Sequence, residues 1–230
     1  APASNPTKTH YEFAGWSLTK ITEILNPEDI ADVALIDFEN AAPTVPVDGL
    51  TIYPVFVRVP VTLKTLSTAR GIETEDDGEV VIGYIAGLET RLLEEDLLNN
   101  YITVEGDGRV EVELTKFDIC GTGTEVRIID NVTNEVVGIY YIVIYGDVNG
   151  DADIDASDVS MVKAESLGAT NWSIDPDVID GNESYDYSKV LAADMNGDGK
   201  VKSLLDASLL ADVILFLAEI DQQTGAIIYY

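Results

Sequence analysis

Two short runs of the sequence carry oxygen-bearing side chains at every second position: Asp147-Val148-Asn149-Gly150-Asp151 and, 47 residues later, Asp194-Met195-Asn196-Gly197-Asp198. Such a run suits a hard cation that takes six to eight oxygens at about 2.3–2.6 Å, as in an EF-hand loop with donors at positions 1, 3, 5, 7, 9 and 12. In the first copy Asp147, Asn149 and Asp151 fill the first three positions. The main-chain carbonyl of Asp153 falls seventh, Asp155 ninth through a water, and Asp158 twelfth. Ala152 stands at the sixth position, where a left-handed turn costs Ala about 1 kcal/mol. The second copy supplies Asp194, Asn196 and Asp198, with Gly199 at the turn and the carbonyl of Lys200 next. It then departs from the pattern: Lys202 at the ninth position cannot ligate, Leu205 is twelfth, and Asp206 arrives one residue late. A one-residue insertion would restore Asp206 as the closing ligand. Ile154 and Val201, at the eighth position of each copy, are the apolar residues that would pair between the loops. Asp/Asn/Gly clusters are also ordinary solvated turns, but duplication favours two bound Ca2+ ions as cofactors. Removing calcium would leave the carboxylates repelling one another and would unfold the duplicated region while the strand-rich half persists.

Each loop precedes an apolar-periodic helical stretch, from 159 and over 207–216, and neither has the incoming helix of a true EF-hand. A duplicated loop-plus-helix of this kind resembles a dockerin domain, over residues 146 to about 220. The phrase Gly146-Asp147-Val148-Asn149-Gly150-Asp151 and the aligned Asp158-Val159-Ser160 and Asp206-Ala207-Ser208 carry the likeness. The resemblance implies a partner, the cohesin module of a scaffoldin or cell-surface anchoring protein. It also implies a secreted or cell-surface setting in an anaerobic bacterium, in a cellulosome-like assembly for polysaccharide degradation. By family position the partner contacts fall on Ala156, Ser157, Lys163 and Ala164 in the first copy and on Leu204, Ala211 and Asp212 in the second. These sets differ chemically, polar and basic against apolar and acidic, which favours one docking orientation over two. The 26 residues from 168 to 193, with Trp172 and a candidate helix at 187–192, exceed what a compact dockerin needs.

The elements that must hold these loops lie upstream. Strands are expected near 51–59, 80–85, 101–104, 110–114, 126–129 and 139–145, with Pro54 making the first an edge or a bulged strand. A short helix is expected within 26–34, and an amphipathic helix within 88–99, from Leu92, Leu93, Leu97 and Leu98 beside Glu94, Glu95 and Asp96. The strand-rich segment, with Gly121-Thr122-Gly123-Thr124 and a last strand running straight into Gly146-Asp147, resembles the X-module that accompanies dockerins. Phe13-Ala14-Gly15-Trp16 and Leu50-Thr51-Ile52-Tyr53-Pro54-Val55 resemble the later half of a Listeria-Bacteroides repeat. The expected fold is thus multi-domain: β-rich modules, β-grasp-like over 1–75 and a β-sandwich or α+β unit over 76–145, then an all-α dockerin over 146–222. The acidic stretch 73–79 reads either as a linker between the first two or as a hairpin turn, with the linker preferred.

Composition excludes other classes. With 42 acidic against 13 basic side chains the net charge is −29, so nucleic acid and anionic membrane surfaces would be repelled. The 46% apolar content is that of a globular chain. No apolar run is long enough to span a bilayer. The lack of an initiator Met reads as an excerpt of a longer precursor. Catalysis is not expected, since a glycosidase needs a carboxylate pair in a cleft flanked by sugar platforms, and no segment before Gly146 is large enough to hold one. Cys120 reads as a small buried apolar residue, and lone His10 as solvated. The alternative to a docking role is a surface adhesin or carbohydrate-binding module with structural calcium, which an exposed aromatic row would favour. The tail 223–230, ending Ala226-Ile227-Ile228-Tyr229-Tyr230, is too apolar to stand free and is expected beside Tyr145 at the junction, as a strand added along 142–144.

Overall fold

The computed structural model describes residues 4–22, 24–66, 70–73, 80–115, 118–170, 172, 181–201 and 204–230. Along the chain come β1 (Tyr11–Ser17), a 3-10 turn (Pro27–Asp32), β2 (Tyr53–Arg58), β3 (Thr62–Thr65), β4 (Arg70–Glu73), β5 (Val81–Ala86) and β6 (Leu92–Leu93). There follow α1 (Glu94–Asp96), a π-helical turn (Leu97–Tyr101), β7 (Ile102–Glu105), β8 (Gly108–Glu113), β9 (Ile119–Cys120), β10 (Glu125–Asp130) and β11 (Val136–Ile142). The C-terminal part holds α2 (Ala156–Ser166), α3 (Gly181–Ala193), α4 (Leu204–Ile214), β12 (Ala218–Ile220) and β13 (Ile227–Tyr229). Strand-rich first and helical later, this order agrees with the expected multi-domain layout. No helix among the described residues is long and apolar enough to cross a membrane.

The central sheet runs β4-β5-β11-β10-β8, with β5 and β11 parallel and the other neighbours antiparallel. β4 pairs with β5 (Arg70↔Ala86 to Glu73↔Gly83) and β3 pairs with β7, so the strands on either side of the acidic stretch belong to one unit. The flanking strands thus do not sit in separate modules, as the preferred linker reading of 73–79 expected; residues 74–79 themselves lie outside the described residues. Before that unit the described chain forms a two-stranded antiparallel β1–β2 pair, in which β2 is an edge strand, one of the two roles expected from Pro54, and the bulge lies in β1 between Phe13 and Gly15. Arg58 at the end of β2 is buried and sits 2.6 Å from Asp130 at the end of β10, which ties this pair to the sheet.

The amphipathic helix expected over 88–99 is replaced by β6, α1 and the π turn. The physical reason is that Leu92 pairs with Cys120 as a strand residue, so the helix starts only after it. Leu92 and Leu97 face the core, while Leu93 and Leu98 are exposed. Cys120 is fully buried, and burial pushes its thiol up to about 12.

Along the end of β11 and the residues after it, side chains alternate between two cores, as period-2 geometry dictates. Tyr140, Ile142 and Ile144 join Ile85, Leu88, Leu97, Ile102 and Val126 on one face. Tyr141, Val143 and Tyr145 join Tyr84, Val148, Val162, Trp172, Val190, Met195 and Leu210 on the other. The sheet and the C-terminal helices therefore share one core. α3, longer than the expected 187–192 helix, lies on the sheet, with the Tyr187 ring 5.4 Å from Tyr84 in an edge-on arrangement.

The tail packs beside Tyr145 but not as an added strand along 142–144. It closes on β12 instead (Ala218↔Tyr229 to Ile220↔Ile227), so the C-terminal part is not all-α. Both strand edges here are short, and the Tyr145 main chain is held by a side chain: Gln222 accepts from its N–H (2.9 Å) and donates to its C=O (2.7 Å). Gln223 donates to the Gly87 carbonyl at 3.0 Å. Contrary to expectation Ile228 is 46% exposed, and it is the turn, not the tip, that makes the junction. Gly225, at φ 74°, is required there because a Cβ would come within 2.9 Å of the Tyr145 ring. Gln222→Ala removes two hydrogen bonds to the Tyr145 main chain, at about 1 kcal/mol each; the expected outcome is a melting temperature lowered by several degrees, checked by calorimetry.

Candidate functional site

The first loop begins where the sheet ends. Gly146 donates to the Ala192 carbonyl (2.8 Å) and Asp147 to that of Ile144 (3.0 Å), so the chain turns without a linker. The Asp147 carboxylate is fully buried. Its Oδ1 accepts from the amides of Gly150 (2.9 Å) and Asp151 (3.1 Å), and its Oδ2 from those of Ala152 (3.0 Å) and Thr122 (2.9 Å). Asn149 Oδ1 accepts from Asp151 N–H (2.8 Å), and Asp151 Oδ1 from Asp153 N–H (3.1 Å). Asp158, also fully buried, reaches back from α2 to the amides of Val148 (2.8 Å) and Asn149 (3.0 Å). Asp155 caps α2 by accepting from Ser157 N–H (2.7 Å), and its own N–H donates to Asp158 Oδ2 (2.9 Å), a reciprocal capping box. Ala152 does take the left-handed conformation, at φ 67°.

The second loop repeats part of this bonding. Asp194 accepts from the amides of Asp198 (3.1 Å) and Gly199 (2.7 Å), Asn196 from Asp198 (2.9 Å), and Asp198 from Lys200 (2.9 Å). Asp206 Oδ1 accepts from Asn196 N–H at 3.2 Å, as Asp158 Oδ1 does from Asn149. Asp206 therefore occupies the place of Asp158 despite standing one residue later. Lys202 lies outside the described residues.

Burial raises the carboxyl of Asp147 to about 6, with the Asp158 charge adding to it and the loop amides opposing. Burial likewise raises Asp206 to about 6, with Asp194 and Asp198 adding. Asp158 is raised by burial and by Asp151, whereas Asp155 is lowered by the Ser157 amide and hydroxyl. Asp206 Oδ2 is buried without a hydrogen-bond partner among the described residues. Buried like charges with an orphaned oxygen lack compensation of the kind a cation supplies, and an all-oxygen donor set is that of calcium. The residues present thus fit the implied ion. Among the described residues no three acidic, His or Cys side chains are gathered around one point. The donors are held in order along each loop by main-chain amides.

Sequence reading missed four partners of the first loop, all from the sheet unit. Thr122 donates its amide to Asp147, and its hydroxyl bridges the Ile144 N–H (3.0 Å) and carbonyl (3.2 Å). Thr115 donates to the Gly150 carbonyl (2.8 Å). Gly121 leaves no room for a side chain, since a Cβ would lie 2.3 Å from Gly150 O. Arg91 forks onto the Asp153 carboxylate, with Nη2 at 2.9 Å, which occupies that side chain and leaves the residue its carbonyl for the seventh position. The Gly121-Thr122 phrase was the available signal, but nothing local tells which distant loop it serves.

Of the expected partner contacts, Ala156, Ser157, Lys163 and Leu204 are exposed and Ala164 is half-buried. Ala211 packs partly against the core, and Asp212 accepts from the Tyr229 hydroxyl at 2.9 Å, so these two are engaged within the chain.

An unfolded Asp titrates near 3.8, whereas Asp147 and Asp206 titrate near 6 in the fold. Their protonated forms therefore stabilise the metal-free fold at low pH, an effect lost as pH rises through about 6. Asp155, shifted the other way, acts in the opposite sense only below the ordinary Asp range. In chelator the melting temperature is expected to fall from about pH 4.5 to about pH 7, and with excess calcium that fall should vanish or reverse as the ion displaces the protons. Melting curves over this range check it.

No curated protein and no solved structure matches the chain. Residues 145–215 match the model of the Dockerin type I domain, and this part of the chain, with its two amide-ordered carboxylate loops, is a dockerin.

Proposed function

We propose that the chain is a non-catalytic connector whose dockerin binds two calcium ions and docks onto a cohesin, attaching its parent protein to an extracellular, cellulosome-like or cell-surface assembly. The observation that carries this reading is that the second loop repeats the main amide bonds of the first, with the Asn196 amide on Asp206 as that of Asn149 is on Asp158. The first ion is assigned to Asp147, Asn149, Asp151, Asp155 and Asp158 with the Asp153 carbonyl. The second is assigned to Asp194, Asn196, Asp198 and Asp206 with the Lys200 carbonyl. Docking is assigned to the exposed positions Ala156, Ser157, Lys163 and Leu204. The strand-rich unit acts as an X-module-like brace. An adhesin or sugar-binding role gains no support from the aromatic cluster on β1 and β2, because Phe13, Trp16 and Phe56 pack edge to face, at 66° and 70°, and make no flat platform.

A pull-down against a panel of cohesins should give capture in calcium and none in chelator, and Ser157→Arg should abolish it. No capture in calcium rejects the proposal. Calcium at a hundredfold excess over its dissociation constant contributes about 2.7 kcal/mol. The shared core carries the loss of that energy into the sheet, so chelation should speed hydrogen exchange in β5 and β11 as well as in the loops. That replaces the sequence-based expectation of an unaffected strand-rich half. The first loop has the fuller donor set and its outside partners, so Asp158→Ala should weaken calcium binding more than Asp206→Ala, measured by isothermal titration.

A further inference from the structure

A cleft of about 670 Å3 opens where the first loop, the end of α4 and the C-terminal hairpin meet. Its apolar walls are Ile154, Ile214, Phe216 and Tyr230, and its charged groups are Glu89, Asp155 and Glu219. Phe216 and Tyr230 are 86% and 83% exposed, far more than isolated large rings need to be. Among the described residues no Lys or Arg lines the cleft, and Arg91, the cation nearest in sequence to Glu89, is held by Asp153. Glu89 and Glu219 accept hydrogen bonds from the Tyr101 and Tyr230 hydroxyls (3.2 and 3.1 Å), contacts that leave their charge uncompensated.

The walls are also fixed in advance. Gln222 and Gln223 pin the hairpin turn to Tyr145 and Gly87, and Ile220 packs against Gly146 so closely that a Cβ there would come within 2.7 Å. Glu219 orients the Tyr230 ring. A pinned hairpin and an oriented Tyr230 ring beside uncompensated carboxylates favour binding, since little of their freedom remains to be lost.

We propose that this cleft extends the docking surface and receives an apolar segment of the cohesin flanked by Lys or Arg. Charge selects that occupant: Glu89 and Glu219, with no Lys or Arg beside them in the described lining and Asp155 turned to the first ion, disfavour an acidic or purely apolar visitor. The cleft adjoins Ala156, an assigned docking position and itself part of its lining, so one partner can cover both. The inference rests on the cohesin-binding reading and adds the hairpin to it.

The test takes the cohesin captured by the full calcium-loaded chain and measures its affinity for Phe216→Ala and for the double variant Glu89→Gln/Glu219→Gln. Both sets are on exposed side chains, and unchanged melting and calcium titration confirm the fold. Phe216→Ala is expected to weaken binding at least tenfold. The double variant is expected to weaken it several-fold at low salt and to flatten the salt dependence, because the exposed charges it removes are screened within about 8 Å at physiological ionic strength. Affinities within twofold of the parent, with the same salt dependence, overturn the cleft proposal while leaving cohesin binding intact. Failure of the parent chain to bind any cohesin overturns both.

Discussion

The structure depends on the alternation of side chains from Tyr140 to Tyr145. Because successive residues of an extended chain face opposite ways, this stretch must satisfy two cores at once. Even-numbered residues close the strand-rich core, and odd-numbered ones close the core of the loops and helices. Slipping the register by one residue would exchange the two sets, placing Tyr141 and Tyr145 where Ile142 and Ile144 fit. The parallel pairing with β5 and the Val143 amide bonded to Ile85 hold that register. Asp147 then follows within two residues, so the position of the first carboxylate is set by the sheet and not by a tether.

That placement explains how buried carboxylates are tolerated. Asp147 accepts four amides, one of them from Thr122 outside its own loop. Hydrogen bonds to the charged form partly offset burial, yet burial still dominates its titration. The remaining cost is electrostatic, and it is the term that a divalent cation or a proton removes. The loops are therefore ordered by amides and charged for an ion, two properties built by the same side chains.

The two loops were legible in the sequence because their turn logic is local. Donor spacing within a dozen residues located both loops, and the displaced Asp206 could be recognised since an inserted residue alters count without altering chemistry. Ala152 at φ 67° was also foreseeable from its position. The fold was less legible wherever partners are distant. Leu92 was read as helical because its spacing to Leu97 suits a helix, but pairing with Cys120 overrides that period. The acidic stretch at 73–79 has a linker's composition, and only the β4–β5 register shows that the strands flanking it belong to one sheet. The tail's apolarity pointed correctly to the junction near Tyr145, yet no local pattern could reveal that Gln222, a polar residue, makes the contact.

The two loops share much of their internal bonding but not their surroundings, and this breaks the two-fold that duplication would otherwise provide. Outside the first loop stand Thr122, Thr115, Arg91 and the backbone at Gly121, with Gly150 so close to Thr122 that a Cβ would meet its carbonyl at 2.4 Å. In the second loop Gly197, Asp198 and Gly199 are exposed, and added Cβ atoms at both glycines would meet nothing within 4 Å. Rotating the dockerin to exchange its loops would thus bring the sheet unit and the C-terminal hairpin to the opposite side of any partner. In one orientation they lie where they can add surface beside Ala156, and in the other they are carried away from it. Chemical differences between the two expected contact faces act in the same direction, so the expectation of a single docking orientation rests as much on what encloses the first loop as on the side chains at the expected contact positions.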